Sequence, residues 1–198
     1  MEDPQKEETL GDYRYWDTIQ ISLKFEKGLN RVSRDYYLDI AKRYEAESFL
    51  DLGCGFGETY NLFVQNGVKL RYVGMDVTRK FIDICKERYP EAEFMTGEIQ
   101  NVPFPDASFD LVSCRCVLEH LPESEPAIME MARVSAKAVV IVWFRWPAEM
   151  DRRQYKKAGY WLNDYSRDWT LDIANASDLR LEDEIVEKHH LVWVLEKT

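Results

Sequence analysis

The chain has 198 residues, of which 45% are apolar and 31% charged, and its 26 basic against 36 acidic side chains leave a formal net charge of −10. That length holds one domain with a sizeable core. The composition excludes a disordered or fibrous chain, and the acidic balance disfavours broad nucleic-acid binding. No apolar run approaches the roughly 20 residues that span a bilayer. Met1-Glu2-Asp3-Pro4 lacks the basic start and apolar stretch of a secretory signal. Cys54, Cys85, Cys114 and Cys116 read as reduced thiols and not as a disulfide framework. The expectation is a single cytoplasmic domain spanning 1–198, a monomer or homodimer with neither membrane nor nucleic-acid partners.

Residues 1–12 are polar and acidic and are expected to be mobile. From Tyr13 to about Ala46, apolar residues recur at helical spacing (Ile19, Leu23, Val32, Tyr36, Ile40), with Gly28 between two helices. Phe49 to Leu52 is a short apolar strand running into Gly53-Cys54-Gly55-Phe56-Gly57, after which Thr59 to Gln65 reads as helix. The pattern repeats with a strand at Arg71 to Asp76, a helix at Thr78 to Tyr89 stopped by Pro90, and a strand at Ala92 to Met95. Asn101 to Ser108 is a loop, Phe109 to Cys114 a buried strand, and Pro122 to Pro126 open a helix that reaches Val134. Ala138 to Phe144 is the most apolar strand, and Leu181 to Thr198 holds two β-like stretches with little room for a helix between them. Strands alternating with helices imply parallel pairing and an α/β doubly wound sheet, here ending in an antiparallel pair.

The sharpest signal is Asp51-Leu52-Gly53-Cys54-Gly55-Phe56-Gly57 at a strand-to-helix junction. Glycines there let a ligand press against the backbone, and the helix N-terminus offers unpaired N–H groups. Asp76 closes the second strand about 20 residues later, the spacing from which an acid reaches the hydroxyls of a ribose. A dinucleotide loop wants glycine at its sixth position, where this chain has Glu58, a carboxylate that would face a pyrophosphate. Glycines at the first, third and fifth positions behind Asp51 suit a ligand carrying an ammonium and a sulfonium.

In these residues the sequence resembles the class I S-adenosylmethionine (SAM)-dependent methyltransferases, in particular the small-molecule branch often called type 11. The resemblance runs from about Phe49 to Phe144. Besides the glycine loop it is carried by Gly74-Met75-Asp76, by Phe104-Pro105-Asp106-Ala107-Ser108-Phe109-Asp110-Leu111-Val112, by Val117-Leu118-Glu119-His120-Leu121 and by Met131-Ala132-Arg133-Val134. It implies a Rossmann-like seven-stranded sheet with helices on both faces, mostly parallel with an antiparallel C-terminal strand. Its cofactor is SAM and its product S-adenosylhomocysteine (SAH). Carried over, it assigns Gly53, Cys54, Gly55 and Gly57 to the methionine and ribose side, Asp51 to the amino group, and Asp76 to the ribose with Val77 beside the adenine. Glu98, where the family's common residue is Asp, and Ile99 would meet the adenine, and Cys114 and Arg115 would line the pocket near the methyl.

Several residues keep two readings. Asp76 alone is also a helix-capping carboxylate, since Thr78 follows. Cys114 and Cys116, two apart on a strand, share a face and read as core thiols. His189 and His190 are adjacent on a strand and point to opposite faces, which argues against a shared metal. His120, after the fourth strand, is either a catalytic base or substrate contact, or a loop-structuring histidine. Tyr13, Tyr15 and Trp16 form either a substrate lid (13–46) or an ordinary amphipathic helix. Residues 145–180 are expected as an aromatic-rich insertion over the substrate, with Arg145 and Trp146 as contacts. Its cations form either a solvated helix face, with Arg152/Lys156 and Arg153/Lys157 at helical spacing, or a lid over an acidic acceptor.

Ser113-Cys114-Arg115-Cys116 stands where amino-methylating nucleic-acid and protein enzymes carry Asn/Asp-Pro-Pro-Tyr. The expected function is therefore methyl transfer from SAM to a small-molecule acceptor, at an oxygen. The alternatives are a SAM- or SAH-binding partner or sensor without catalysis, and an NAD-dependent oxidoreductase.

Overall fold

The computed structural model describes residues 15–16, 34–188 and 190–198. Tyr13, Ile19, Leu23, Gly28, Val32 and His189 lie outside the described residues, as do residues 1–12. In chain order the elements are α1 (Tyr36–Arg43), β1 (Ser48–Leu52), α2 (Glu58–Gln65), β2 (Arg71–Asp76), α3 (Arg79–Arg88), β3 (Glu93–Thr96), β4 (Phe109–Arg115), a 3-10 turn (Leu118–His120), α4 (Glu125–Val134), β5 (Ser135–Trp143), β6 (Tyr155–Lys156), β7 (Tyr160–Trp161), α5 (Arg167–Ala176), β8 (Leu179–Glu187) and β9 (His190–Lys197).

Seven strands form one sheet in the order β3-β2-β1-β4-β5-β9-β8. Pairing is parallel from β3 through β5, and β9 runs antiparallel to both of its neighbours. The strand order reverses between β1 and β4, which opens a crevice at the carboxyl edge of the sheet. Alternation along the strands divides the core in two. Phe49, Tyr72, Leu111 and Val140 pack beneath Tyr37 and Ile40 of α1, Phe63 of α2 and Ile82 of α3. On the other face, Leu50, Val112, Ile141, Trp143 and Trp193 pack against Ile128 and Met131 of α4 and Ala174 of α5. Fully burying a side chain of this size contributes about 1.5–3 kcal/mol, so both layers are needed to hold the sheet in place behind the crevice. Among the described residues no helix is long and apolar enough to cross a membrane.

Among the described residues the expected strands and helices from Tyr36 to Val134, the apolar strand β5 and the C-terminal strand pair are present with ends shifted by a few residues, β5 for instance beginning at Ser135 and not Ala138. One reading fails. Arg152, Arg153, Lys156 and Lys157 do not lie on a helix: β6 and β7 pair as a short antiparallel hairpin, and Arg152 and Asp164 exchange backbone bonds of 2.8 and 2.9 Å. Gly159, at φ 91, turns the chain back between them, where a helix would have continued.

Candidate active site

The loops after β1, β2, β3 and β4 wall a cavity of about 170 Å³ at the switch point. Its floor is the glycine loop. Gly53 adopts φ +77, and a Cβ built there would sit 2.2 Å from Val117 Cγ2. The N–H groups of Gly53 and Cys54 both donate to the Met75 carbonyl, at 2.7 and 3.1 Å. Gly55 is different: its missing Cβ would meet only Glu58 Oε2, at an ordinary contact distance of 3.7 Å. The loop thus turns one hydrogen-only face to Val117 and the other to the cavity.

Three acids border the loop. Asp76, 9% exposed, accepts the Gly55 N–H at 3.0 Å and the Thr78 N–H at 2.8 Å, and burial raises its carboxyl to about 6. Asp51 is buried on β1 and accepts the Tyr72 hydroxyl at 2.8 Å. Burial raises its pKa against the opposing pull of Tyr72, Thr59 and the charges of Arg34 and Arg115. Glu58 begins α2 on the cavity wall; its Oε1 is buried without a hydrogen-bond partner, and desolvation raises its pKa too. Met75, Val77, Phe81 and Ile99 supply apolar wall on the far side, beside Glu98.

Trp16, Arg115, Cys116 and His120 line the same cavity. The His120 ring lies 4.8 Å from that of Trp16, and stacks on Phe144 with centroids 5.3 Å apart. Its Nδ1 is 2.9 Å from the Trp161 carbonyl oxygen. A carbonyl only accepts, so Nδ1 carries the hydrogen, and burial lowers the ring's pKa, which leaves Nε2 as a bare lone pair in the neutral form. The neighbouring Glu119 is 1% exposed and accepts the N–H groups of Phe144 and Arg145 at 2.9 and 3.2 Å. Asn163 adds a backbone bond to the Glu119 carbonyl (2.8 Å) and a side-chain bond to that of Leu121 (2.7 Å). The turn that bears His120 is therefore fastened to the segment after β5 on several sides.

Of the residues singled out in the sequence, Asp51, Gly53, Cys54, Gly55, Asp76, Val77, Glu98, Ile99, Arg115, His120 and Trp16 line this one cavity. Gly57, Cys114, Arg145 and Trp146 do not. Gly57 lies beneath the loop, where a Cβ would meet Tyr89 Cε2 at 2.9 Å. Cys114 belongs to the apolar layer beside α4. Cys116 does not share its face as expected, because β4 ends at Arg115 and Cys116 takes φ +56, which breaks the alternation and turns its side chain to the cavity and the opposite layer. Arg145 is engaged by Asp164, and Trp146 is 45% exposed. Tyr13 lies outside the described residues.

Arg34, Thr59, Phe81 and Cys116 line the cavity without having been expected there, and Glu58 was read only as a bar to pyrophosphate. Glu58 carried a usable signal in its place right after the glycines; Arg34 carried none, since only the packing of α1 brings it to the crevice. Among the described residues, no group of three or more His, Cys, Asp or Glu side chains is placed to share a metal ion.

Residues 50–142 match the family described as Methyltransferase domain. Among curated proteins, the chain is 26% identical to a demethylmenaquinone methyltransferase of Thermotoga maritima over 60% of this chain and 51% of that one. It is 33% identical to a fatty-acid O-methyltransferase of Mycolicibacterium smegmatis over 58% of this chain and 43% of that one. The chain thus spans about half the length of these relatives. The same fold occurs in the 1,6-didemethyltoxoflavin-N1-methyltransferase of Burkholderia thailandensis, solved with 1,6-didemethyltoxoflavin and SAH bound. There the TM-score is 0.70 at 15% identity, over 88% of this chain and 83% of that one. Over residues 50–142 the chain is thus similar to methyltransferase domains, and its strand order and glycine-loop crevice belong to the fold of the solved methyltransferases.

Proposed function

We propose that this chain transfers a methyl group from SAM to an oxygen of a small-molecule acceptor, with His120 as general base. The observation that carries the reading is that one cavity joins the Asp76–glycine-loop end to the bare Nε2 of His120.

The residues at the first end fit the cofactor. Asp76 accepts two backbone N–H groups and the Thr78 side chain, and its two oxygens still have acceptor capacity for a ribose hydroxyl. Asp51 and the unpartnered Oε1 of Glu58 suit an ammonium, and the hydrogen-only face of Gly55 leaves room for the chain between sugar and sulfur. Val77, Ile99 and Phe81 suit a flat base, with Glu98 to accept from its amine. When bound, SAM supplies an electrophilic methyl on a sulfonium.

What remains for the protein is alignment and proton removal. Holding the acceptor at attack distance is worth up to about 7–11 kcal/mol. A neutral imidazole can take the proton of a hydroxyl as its oxygen attacks, a contribution of about 10²–10⁴ in rate. Tyr15 against Tyr160, with ring centroids 4.5 Å apart, and Trp16 against His120 support Tyr15, Trp16 and residues 145–180 as covers that exclude water from the transfer. The activities that name the relatives, on a demethylmenaquinone and on a fatty acid at oxygen, support a small-molecule acceptor.

Calorimetry with SAM, SAH and NAD tests the cofactor. Binding of SAM and SAH in the micromolar range, with no heat from NAD, is expected; stabilisation by NAD alone would remove the reading. Binding of both adenosyl compounds, combined with an absence of turnover across a broad acceptor panel, would instead favour a non-catalytic sensor.

A further inference from the structure

Arg115 is a guanidinium on the cavity wall that makes no direct ion pair among the described residues. Its Nη2 is buried and makes no hydrogen bond. What it does touch is neutral. Nε donates to the Tyr36 hydroxyl at 3.3 Å and Nη1 lies 3.5 Å from Cys116 Sγ. Burial pushes the Cys116 thiol to about 12 and raises the Tyr36 phenol, so at neutral pH both supply dipoles and no charge. Asp51 feels the guanidinium's field, but its Oδ2 is taken by the Tyr72 hydroxyl and it makes no bond to Arg115. A desolvated cation of this kind is stable when an anion completes it, and the planar fork matches a carboxylate.

The same cavity is lined by the Trp16 and His120 rings, 4.8 Å apart, and His120 keeps its Nε2 bare in the neutral form. We infer that the methyl acceptor is a planar hydroxy acid, an aromatic or enolic ring whose carboxylate is taken by Arg115 while its hydroxyl is presented to His120. Arg115 is then a specificity-determining residue. This inference rests on the methyltransferase reading and deepens it. The insertion's own cations are already engaged elsewhere, Arg145 by Asp164 and Arg167 by Glu184, while Arg153 lies 3.8 Å from Glu123.

The test titrates the SAH-loaded protein with salicylate and 4-hydroxybenzoate, and with the neutral amide of each, by calorimetry and thermal shift. The wild type is expected to bind at least one acid roughly 10- to 100-fold more tightly than its amide. In protein saturated with SAH, Arg115→Met should erase that preference, and Arg115→Lys should restore part of it. Equal binding of acid and amide, or binding of neither, overturns the inference. So does a loss of SAH affinity in Arg115→Lys that disappears when SAH lacks its own carboxylate, because the guanidinium would then belong to the cofactor. Failure of the wild type to bind SAH at all is a distinct result, which refutes the methyltransferase reading itself.

Discussion

The carboxylate of Asp76 accepts the backbone N–H of Gly55 at 3.0 Å, so the acid proposed to hold the ribose also ties down the loop beneath the cofactor. One substitution should therefore damage both. Asp76→Ala is expected to weaken SAH binding by roughly 10- to 100-fold in calorimetry, the worth of hydrogen bonds to a charged group. Unchanged affinity would reject the role. Burial raises this carboxyl to about 6. A site that needs the ionised form should lose about tenfold in SAH affinity for each unit the pH falls below that value, and Asp76→Asn should flatten the profile.

Two glycines in the same loop should fail differently. In Gly53→Ala the new methyl group meets Val117 Cγ2 at 2.2 Å in a backbone with φ +77, and a loss of about 2–4 kcal/mol in denaturant stability is expected. In Gly55→Val the side chain extends along the cavity wall toward Glu58. The strain at φ +56 costs about 2 kcal/mol, the circular dichroism spectrum stays native, and SAH binding is lost. Retained SAH binding in that variant would contradict the orientation of the loop.

His120→Asn isolates the base. The amide still donates to the Trp161 carbonyl but has no counterpart of Nε2. Turnover should fall by about 10²–10⁴, with SAH affinity unchanged and the acid limb of the rate profile absent. Wild-type rates would leave the histidine a purely structural one.

Glu119 gives a stability signature of its own. Its carboxyl is raised by burial from 4.5 to about 7, which means that the folded state holds the proton more tightly than the unfolded chain. The associated stability is fully present below the unfolded value and is lost as the pH rises through the folded one. The melting temperature of the wild type should thus decline relative to Glu119→Gln between about pH 4.5 and 7.5. Glu119→Ala, which strips the Phe144 and Arg145 N–H groups of their acceptor, should cost about 2–4 kcal/mol below pH 4.5, a deficit that narrows as the pH rises through 7.

The sheet was legible in the sequence because each central strand is a short apolar run set off by turn residues, and because Asp76 follows the glycines at a ribose-reaching distance. What alternation could not supply was where it stops. Cys114 and Cys116 look equivalent on paper, yet a left-handed residue after Arg115 sends one to the core and the other to the cavity. Basic residues at helical spacing around Arg152 had no apolar stripe behind them, and a single glycine at position 159 sufficed to make a hairpin. Arg34 reaches the site through tertiary packing, for which a linear pattern leaves no trace.

The seating of β9 between β5 and β8 has a consequence for how the chain is made. Val139 to Val142, among the most apolar residues in the molecule, find their partners Leu195 to Val192 only some fifty positions later in translation. Until those residues leave the ribosome, one flank of β5 is a bare, water-averse template for any extended peptide nearby. Nascent chains stalled before His190 should therefore clump and call on chaperones, and the last-synthesised of these strands acts as the seal that makes the domain safe to release.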